Sequence, residues 1–540
     1  MTDTRGGLRR RNFWALLALL AAHALPVLFL MSRPDAGSES WDQNYHHAVL
    51  VSRFAQTLDA PDLSDYPSAT SPGYHLVLGA MVRAGLVSME DMRALYPWTA
   101  RSVEQDEVIR RSRLAQGMSQ FRQSGQDTIL SELERDGTGG ADLAAVRRVA
   151  SGDATDAERA ELVAAYGPEG EAFTAHAMGD AANEATAASR FRNVLLPLRL
   201  VQLGASLAAL AIVWLVATRL GLSSWTAMAV TLTAAWNPYV LAGGAWITTD
   251  CIAMLCASIV LLDVVSNAQA VRPPGWLAAF GMIGAVLVRQ SFLWVEGAVI
   301  VAAFLPLVMG DRFTWRRACP SIVAIVVPIA LVACFVLLWG GLVPPAYRPR
   351  HGESFNPTAA LVFFSVIALW GGSLAYQLRG DRLTAVAGVA LLAFALAWIP
   401  HSGFSSDITA GRFGGAIWRL AQLGPAIGDR SLVMVAGASL GVAACALYGR
   451  SMRGRGHGRE MLVLGGAIGL LMASLMVNPK SWERYADVPI VFMLPIIAAA
   501  AVRGSTTNLD RRVAISSVLP AAVALVLSVF SLLLPAMRQP

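Results

Sequence analysis

The chain has 540 residues, of which 55% are hydrophobic and 15% charged, with a formal net charge of +6 and a mean hydropathy of +0.51. Soluble domains carry about 25% charged residues, so this composition excludes a soluble globular enzyme and a disordered chain. The apolar residues fall into repeated stretches of about 17–25 residues, the length that crosses a bilayer as a helix. The sequence therefore predicts an all-α fold, a polytopic transmembrane helical bundle.

The first apolar run covers residues 13–30 and follows four arginines, Arg5 and Arg9 to Arg11. It is longer than the apolar core of a signal peptide and no A-x-A cleavage motif follows it, so we interpret it as a membrane anchor. The other predicted spans are 194–218, 225–245, 249–267, 276–288, 291–309, 319–340, 358–376, 383–400, 431–448, 461–477, 485–502 and 513–536. The bundle would thus have about thirteen spans.

The positive charges indicate orientation in a membrane rather than binding to nucleic acid, since they are scattered among short loops. With a cytoplasmic N-terminus, alternation of the spans places every arginine-rich loop on the cytoplasmic side, as the positive-inside rule requires. This holds only if the region 276–309 is split into two spans at Arg289-Gln290. The opposite loops mix Trp, Tyr, His, Asp, Glu and Arg, which favours an extracytoplasmic functional face.

The cysteines show no CxxC spacing typical of metal sites, and they lie in or beside apolar runs. We therefore expect small core residues at all of these positions. The cysteines are Cys251, Cys256, Cys319, Cys334 and Cys445.

The predicted organisation has three parts: a cytoplasmic tail with the first transmembrane helix (1–31), a long extracytoplasmic loop (32–193), and a multi-span domain (194–540). Within the loop, residues 40–82 form a candidate catalytic start. Residues of about 88–190 are polar and Glu-rich, with short amphipathic helices at 142–149 and 156–165. We interpret this helical insertion as a spacer or a partner-docking element.

The catalytic start contains two predicted helix beginnings. Ser40 to Gln43 reads as a capping box, so that Asp42 lies in the first turn and shares a helix face with Tyr45 and His46. The alternative is that Asp42 only complements the helix dipole and the histidines are solvated. A second helix is predicted from an N-cap at Ser71 and a first residue at Pro72, through 76–82, with Tyr74 and His75 at its entrance.

These motifs resemble the GT-C superfamily of membrane glycosyltransferases, and most closely the dolichyl-phosphate-glucose α-1,2-glucosyltransferases. That family has an acid followed by a His, then a Thr-Thr-Pro-Pro-Gly-Leu-Tyr-like stretch, which Asp42–His46 and Thr70–Tyr74 partly match. The likeness continues, in order, at Leu198-Arg199-Leu200, Thr249-Asp250, Arg289-Gln290 and Glu483-Arg484-Tyr485. This chain departs from the family at Gln43, where a second acid is usual, in having one proline before Gly73, and in the insertion.

The resemblance implies a GT-C type fold and a polyprenyl-phosphate sugar as donor, with a hexose transferred to a hydroxyl of a glycan, lipid or protein acceptor at the outer surface of the bilayer. Asp42 would be the catalytic base, and Arg289, Arg484 and Lys480 would bind the phosphate. The alternative for Arg289 and Lys480 is that they only extend their charges to the membrane interface. Asp250 would orient the acceptor or cap its helix. The remaining substrate-binding candidates are Tyr45, His46, Tyr74, His75, Gln290, Glu483 and Tyr485.

No Asp-x-Asp pair of the kind that holds Mg²⁺ on a nucleotide diphosphate is evident, so we expect metal-independent catalysis without a cofactor, a divalent cation being left open. Residues 344–357 could form a lid over the donor or an ordinary loop. Three other functions remain open. A lipid-linked polysaccharide ligase or polymerase would also use outward-facing arginines, a secondary transporter would suit many Gly- and Pro-rich spans, and a scaffold would act through the insertion.

Overall fold

The computed structural model of the chain describes most of its residues. They are residues 4–33, 42–57, 63–64, 66, 68, 70–100, 102–126, 128–135, 140–310, 315–345, 355–378, 388–389, 392, 415–427, 430–478, 483–504 and 507–537. The chain divides into two compact units. The first unit comprises Met1–Pro26, Ala205–Leu241 and Asp250–Ser531, and the second comprises Val27–Gly204, Ala242–Thr249 and Leu532–Pro540.

Ten helices among the described residues are long and apolar enough to cross a membrane. They are Arg11–Met31, Ala181–Arg219, Asp250–Gln269, Gln290–Val308, Arg316–Trp339, Thr358–Leu378, Leu432–Gly454, Gly458–Met476, Glu483–Val502 and Asn508–Met537. The only strands in the described part of the chain are Ala426–Ile427 and Arg430–Ser431, which pair antiparallel. The chain is therefore a multi-pass, all-α membrane protein, as its composition predicts.

Shorter helices complete the architecture. Those before the second spanning helix are Ala48–Gln56, Gly73–Met81, Met89–Leu95, Gln105–Ser124, Thr128–Arg135, Ala141–Ser151 and Asp156–Ala177. Those after it are Ser224–Ala235, Pro238–Ala245, Trp276–Val288 and Ala416–Leu423.

The predicted span 225–245 is not one continuous helix, because the structure divides it into the helices Ser224–Ala235 and Pro238–Ala245. Pro238 has no backbone N–H to continue the first helix, and the Asn237 side-chain oxygen accepts the N–H of Tyr239 at 3.0 Å. The Asn237 amide also donates to Asp487 at 2.9 Å. Hydropathy cannot register this break, since both halves are apolar.

The break predicted at Arg289 is present. The helix Trp276–Val288 ends at Arg289, whose backbone is extended, and a 3₁₀ segment, Gln290–Val295, leads into the helix Glu296–Val308. The predicted span 383–400 lies outside the described residues except at 388–389 and 392. The expectation of core cysteines fails at Cys319 and Cys334, whose side chains are exposed.

Two spanning helices of the first unit approach each other through glycines. A Cβ atom added at Gly297 would overlap the carbonyl oxygen of Gly466, and the reverse is also true. The helices Glu296–Val308 and Gly458–Met476 therefore touch backbone to backbone at this point. Small residues allow such close approach between helices in membranes.

In the second unit, the described part of the insertion includes the helices Met89–Leu95, Gln105–Ser124, Thr128–Arg135, Ala141–Ser151 and Asp156–Ala177, and it ends within the helix Ala181–Arg219. The helix Asp156–Ala177 begins with a capping box in which Thr155 accepts the N–H of Glu158 and the Glu158 carboxylate accepts the N–H of Thr155. The short amphipathic helices predicted at 142–149 and 156–165 are thus confirmed.

Candidate functional site

Asp42 opens a helical segment whose geometry differs from the predicted α-helix. Ser40, the predicted N-cap, lies outside the described residues, while Asp42 is half-buried with helical backbone angles. The next five residues, Gln43–His47, form a π-helical turn, in which each N–H bonds five residues back. Within this turn Tyr45 and His46 contact different partners, Glu169 and Ser68 respectively.

Tyr45 is buried, and its hydroxyl donates to Glu169 at 2.5 Å. Arg122 donates to the same carboxylate through three contacts, of 2.9, 3.1 and 3.1 Å, and to Glu184 at 3.1 Å. The imidazole of His176 lies 3.1 Å from the other oxygen of Glu184. This network, which we call the Glu169 network, joins the π-turn to three helices of the second unit.

Burial raises the pKa of Glu169, and the opposing effects of Arg122 and of the Tyr45 hydroxyl limit the rise. Burial acts to lower the pKa of Arg122, but Glu169, Tyr45 and Glu184 together outweigh this effect, and the pKa of the guanidinium is raised. The pKa of Tyr45 is also raised, first by burial and then by the negative charge of Glu169. A buried cation thus neutralises a buried carboxylate, while the phenol stays protonated and serves as a donor.

His47 and His75 form a buried pair that the sequence motifs identified only in part. His47 Nδ1 lies 2.8 Å from His75 Nε2, and the two rings stack with their centroids 5.1 Å apart. The Tyr66 hydroxyl lies 2.5 Å from His75 Nδ1. Tyr66, His75 and His47 therefore form a continuous chain of hydrogen bonds, which we call the histidine relay.

Burial, and then the neighbouring His46, lower the pKa of His75 well below its ordinary value. His75 is therefore a neutral imidazole with one donor and one acceptor nitrogen. With the Tyr66 hydroxyl as donor to Nδ1, His75 donates from Nε2 to His47. His46 itself is half-buried, with Nε2 3.2 Å from the Ser68 hydroxyl.

Tyr74 is buried beside the histidine relay, with its ring centroid 5.7 Å from that of His47. Its hydroxyl accepts the side-chain N–H of Gln202 at 2.7 Å. The helix Gly73–Met81 begins one residue later than predicted: Pro72 occupies the N-cap position, and no side-chain cap is formed.

Gln43, where the resembled family has a second acid, is fully buried and joins separate parts of the second unit. Its side-chain oxygen accepts the Nε–H of Arg199 at 3.0 Å and the backbone N–H of Ile247 at 3.1 Å. Arg199 is also fully buried. The motif Leu198-Arg199-Leu200 thus supplies a buried cation, which was not among the predicted site residues.

Four of the predicted residues of the first unit form one cluster. Arg289 pairs with Asp250, and its guanidinium carbon lies 5.3 Å from the centre of the Tyr485 ring. The guanidinium carbon of Arg484 lies 5.6 Å from the same ring centre. Two cations therefore share one aromatic ring at the start of the helix Glu483–Val502, an arrangement that cation–π attraction favours. We call Asp250, Arg289, Arg484 and Tyr485 the arginine cluster.

Glu483 has a separate environment. Its carboxylate is buried and accepts the backbone N–H of Ile417 at 2.8 Å, in the first turn of the helix Ala416–Leu423. One turn further along, Asp487 is buried and accepts from Trp370 and Asn237. Gln290 is half-buried at the start of the 3₁₀ segment, while Lys480 and most of the candidate lid, 346–354, lie outside the described residues.

Glu296 was not predicted as a site residue, although it is 1% exposed within a spanning segment. Among the described residues, neither of its carboxylate oxygens has a hydrogen-bond partner. The neighbouring Trp294 has a buried indole N–H that also lacks an acceptor there. An acidic residue inside an apolar run is the signal that could have identified this position.

No group of three or more His, Cys, Asp and Glu side chains within the described ranges is arranged to hold a metal ion. Comparisons of the chain with protein-family models, curated proteins and solved structures give no match.

Proposed function

We propose that the protein is a membrane glycosyltransferase that transfers a hexose from a polyprenyl-phosphate sugar to an acceptor hydroxyl on the extracytoplasmic face. The arginine cluster is the observation that carries this proposal. Its two guanidinium groups lie within 5.6 Å of the Tyr485 ring centre, at the ends of membrane-spanning helices. A lipid-linked phosphate would be located at this level of a bilayer.

The two arginines suit a phosphate leaving group. Each guanidinium presents several N–H donors in a planar fork that matches phosphate oxygens. Asp250 already pairs with Arg289 and orients it, while the Tyr485 ring limits the movement of both arginines. Such fixed cations would stabilise the negative charge that develops on the phosphate as it departs.

The reaction needs a base for the acceptor, and Asp42 is assigned this role. The acceptor oxygen forms a bond to the anomeric carbon, the bond from that carbon to the phosphate oxygen breaks, and polyprenyl phosphate leaves with the electron pair. The acceptor proton passes to the Asp42 carboxylate. Asp42 adjoins the π-turn that carries His46 and His47, so further proton acceptors lie close by in the chain.

The test measures sugar transfer by the purified protein from radiolabelled polyprenyl-phosphate-glucose and polyprenyl-phosphate-mannose. Asp42→Asn removes the base, and we expect turnover to fall by about 10²- to 10⁴-fold. Arg289→Ala and Arg484→Ala should weaken donor binding as well as turnover, since they remove phosphate contacts. Asp91→Asn and Arg272→Ala, both at exposed positions, are matched controls and should retain wild-type activity.

Transfer that persists in Asp42→Asn would exclude Asp42 as the base. It would favour a lipid-linked ligase or polymerase, which relies on arginine and histidine. Use of neither donor by the folded wild-type protein would overturn the proposal.

Glu296 favours a second candidate function, a proton-coupled transporter. Buried ionisable groups in spanning helices mark proton or ion pathways in transporters, and the Glu296 carboxyl is enclosed at 1% exposure. In that case Glu296→Gln would abolish proton-driven uptake into proteoliposomes. Under the glycosyltransferase proposal the same variant would retain sugar transfer, so one substitution separates the two functions.

A further inference from the structure

The N-terminal spanning helix and the helix Ser224–Ala235 enclose an open groove in the first unit, far in sequence from every proposed site residue. The groove has a volume of about 580 Å³, within the range of about 300–1,000 Å³ typical of ligand-binding clefts. Its lining residues are Arg11, Trp14, Leu17, Ala18, Ala21 and Trp225.

The sequence of the N-terminal helix explains the groove. Trp14, Leu17, Ala18 and Ala21 follow the spacing i, i+3, i+4, i+7 and therefore share one helix face. The two alanines are too small to fill the space beside the bulky Trp14 and the facing Trp225. All of these side chains are exposed within the structure, so the groove opens toward the surrounding lipid.

Hydrogen bonds join the two helices at both ends of the groove. His23 Nδ1 lies 2.8 Å from the carbonyl oxygen of Ala235, and Nε2 lies 2.9 Å from the hydroxyl of Ser206. The indole of Trp236 donates to the carbonyl of Ala22 at 3.0 Å, while at the other end Ser224 bonds to Asn12. The two helices are therefore fixed on either side of the alanines, and the groove is a built feature of the unit.

The length and charge of the groove identify its occupant. Arg11 and Ala21 are ten positions apart, which is about 15 Å along a helix, half of the roughly 30 Å hydrocarbon thickness of a bilayer. The groove thus has the length of one leaflet. Arg11 lines the groove at one end, and Arg5, Arg9 and Arg10 precede it in the chain. Trp14 and Trp225 lie near the same end, since Ser224 bonds to Asn12 there, and aromatic residues beside basic ones are typical of the head-group level of a membrane.

We propose that this groove binds one anionic phospholipid. An acyl chain would lie along Leu17, Ala18 and Ala21, the head-group phosphate would contact Arg11, and the two tryptophans would flank the glycerol region. Charge complementarity selects an anionic head group over a zwitterionic one, since basic residues near a membrane surface attract anionic lipids.

The test uses native mass spectrometry of the full-length protein in detergent, titrated with dioleoyl-phosphatidylglycerol or dioleoyl-phosphatidylcholine. The wild type should bind one phosphatidylglycerol molecule preferentially. Arg11→Gln should weaken that binding about fivefold, which corresponds to about 1 kcal/mol, and remove the preference between the two lipids. The double variant Ala18→Leu/Ala21→Leu fills the groove and should lose both lipids.

Arg316→Gln and Ala522→Leu are matched controls, because they change exposed positions on other spanning helices. They should bind phosphatidylglycerol as the wild type does. Equal binding of the two lipids by the wild type, or unchanged binding by the groove-filling variant, would overturn the proposal. A dimer that the groove-filling variant converts to monomer would also overturn it, since the occupant would then be a second copy of the chain.

Discussion

Replacing Arg122 by alanine should lower the stability of the second unit, because Arg122 is the cation that pairs with the buried carboxylate of Glu169 in the Glu169 network. The Arg122 side chain is 8% exposed and that of Glu169 is 1% exposed. The substitution removes three N–H contacts of 2.9–3.1 Å to Glu169 and one of 3.1 Å to Glu184. Of the contacts among the described residues, only that of the Tyr45 hydroxyl would remain on the buried charge. Breaking a buried pair in this way costs about 3–5 kcal/mol.

Amide hydrogen exchange measures this cost locally. In the helices Gln105–Ser124 and Asp156–Ala177, the protection of the slowest amides should fall by between about a hundredfold and a few thousandfold. Arg147→Ala is the matched control, since Arg147 and Glu134 form an exposed pair, with side chains 44% and 63% exposed. Such surface pairs contribute about 0–1 kcal/mol.

A second variant separates charge from packing. Arg122→Ala combined with Glu169→Gln leaves no buried charge and keeps an acceptor for the Tyr45 hydroxyl, so most of the lost protection should return. If Arg122→Ala lowers protection no more than Arg147→Ala does, the buried pair does not stabilise this unit. If amide protection in the double variant is as low as in the single variant, lost packing rather than an unpaired buried charge destabilises the unit.

Two further predictions concern titration and helix packing. His75 is held neutral, so below a pH of about 6.5 the unfolded chain binds a proton that the folded chain does not. The free energy of unfolding should therefore decrease as the pH is lowered, by up to about 1.4 kcal/mol per pH unit. Thermal unfolding of the wild type between pH 5 and 8 should show this decrease, and His75→Gln should flatten it; parallel profiles of the two proteins would show that the pKa of His75 does not change on folding. Gly297→Ala places a methyl group against the Gly466 carbonyl and should lower the free energy of unfolding by about 1–3 kcal/mol. Gly465→Ala is the control, because a Cβ there meets no atom within 4 Å, and it should leave the melting temperature in a detergent thermal-shift assay unchanged. Equal melting temperatures of the two variants would contradict the close helix contact.

Much of the spanning architecture can be predicted because hydropathy depends on each segment alone. The break at Arg289 can be predicted from a different signal, since the distribution of arginines among the loops requires it. The break at Asn237 has a local cause in Pro238, but the hydrogen bond from Asn237 to Asp487, 250 positions away along the chain, has no local signal. The Asn-Pro pair there is a turn signal that the surrounding apolar residues outweighed.

The candidate site, too, could be predicted from the sequence only in part. Asp250, Arg289, Arg484 and Tyr485 were identified from short motifs, and the structure brings them into one cluster. The partner of Tyr45 could not be identified, because Glu169 is 124 positions away in an insertion whose sequence indicated no chemistry.

α-Helical spacing places only Asp42, Tyr45 and His46 on one face, so the sequence pattern does not single out His47. The segment Gln43–His47 is a π-turn, to which α-helical spacing does not apply. A local pattern is informative only where the local geometry is regular.

That π-turn also determines the direction in which the Asp42 side chain leaves the helix axis. An α-helix rotates by about 100° per residue, and a π-turn accommodates one residue more than an α-turn does. Asp42 is therefore offset by about 100° from the direction that an unbroken helix through Ala48–Gln56 would give it. The orientation of one carboxylate depends on the count of residues in a five-residue segment. A chain shortened there by a single residue could remain helical and hydrophobic throughout, and still direct that carboxylate to the wrong side.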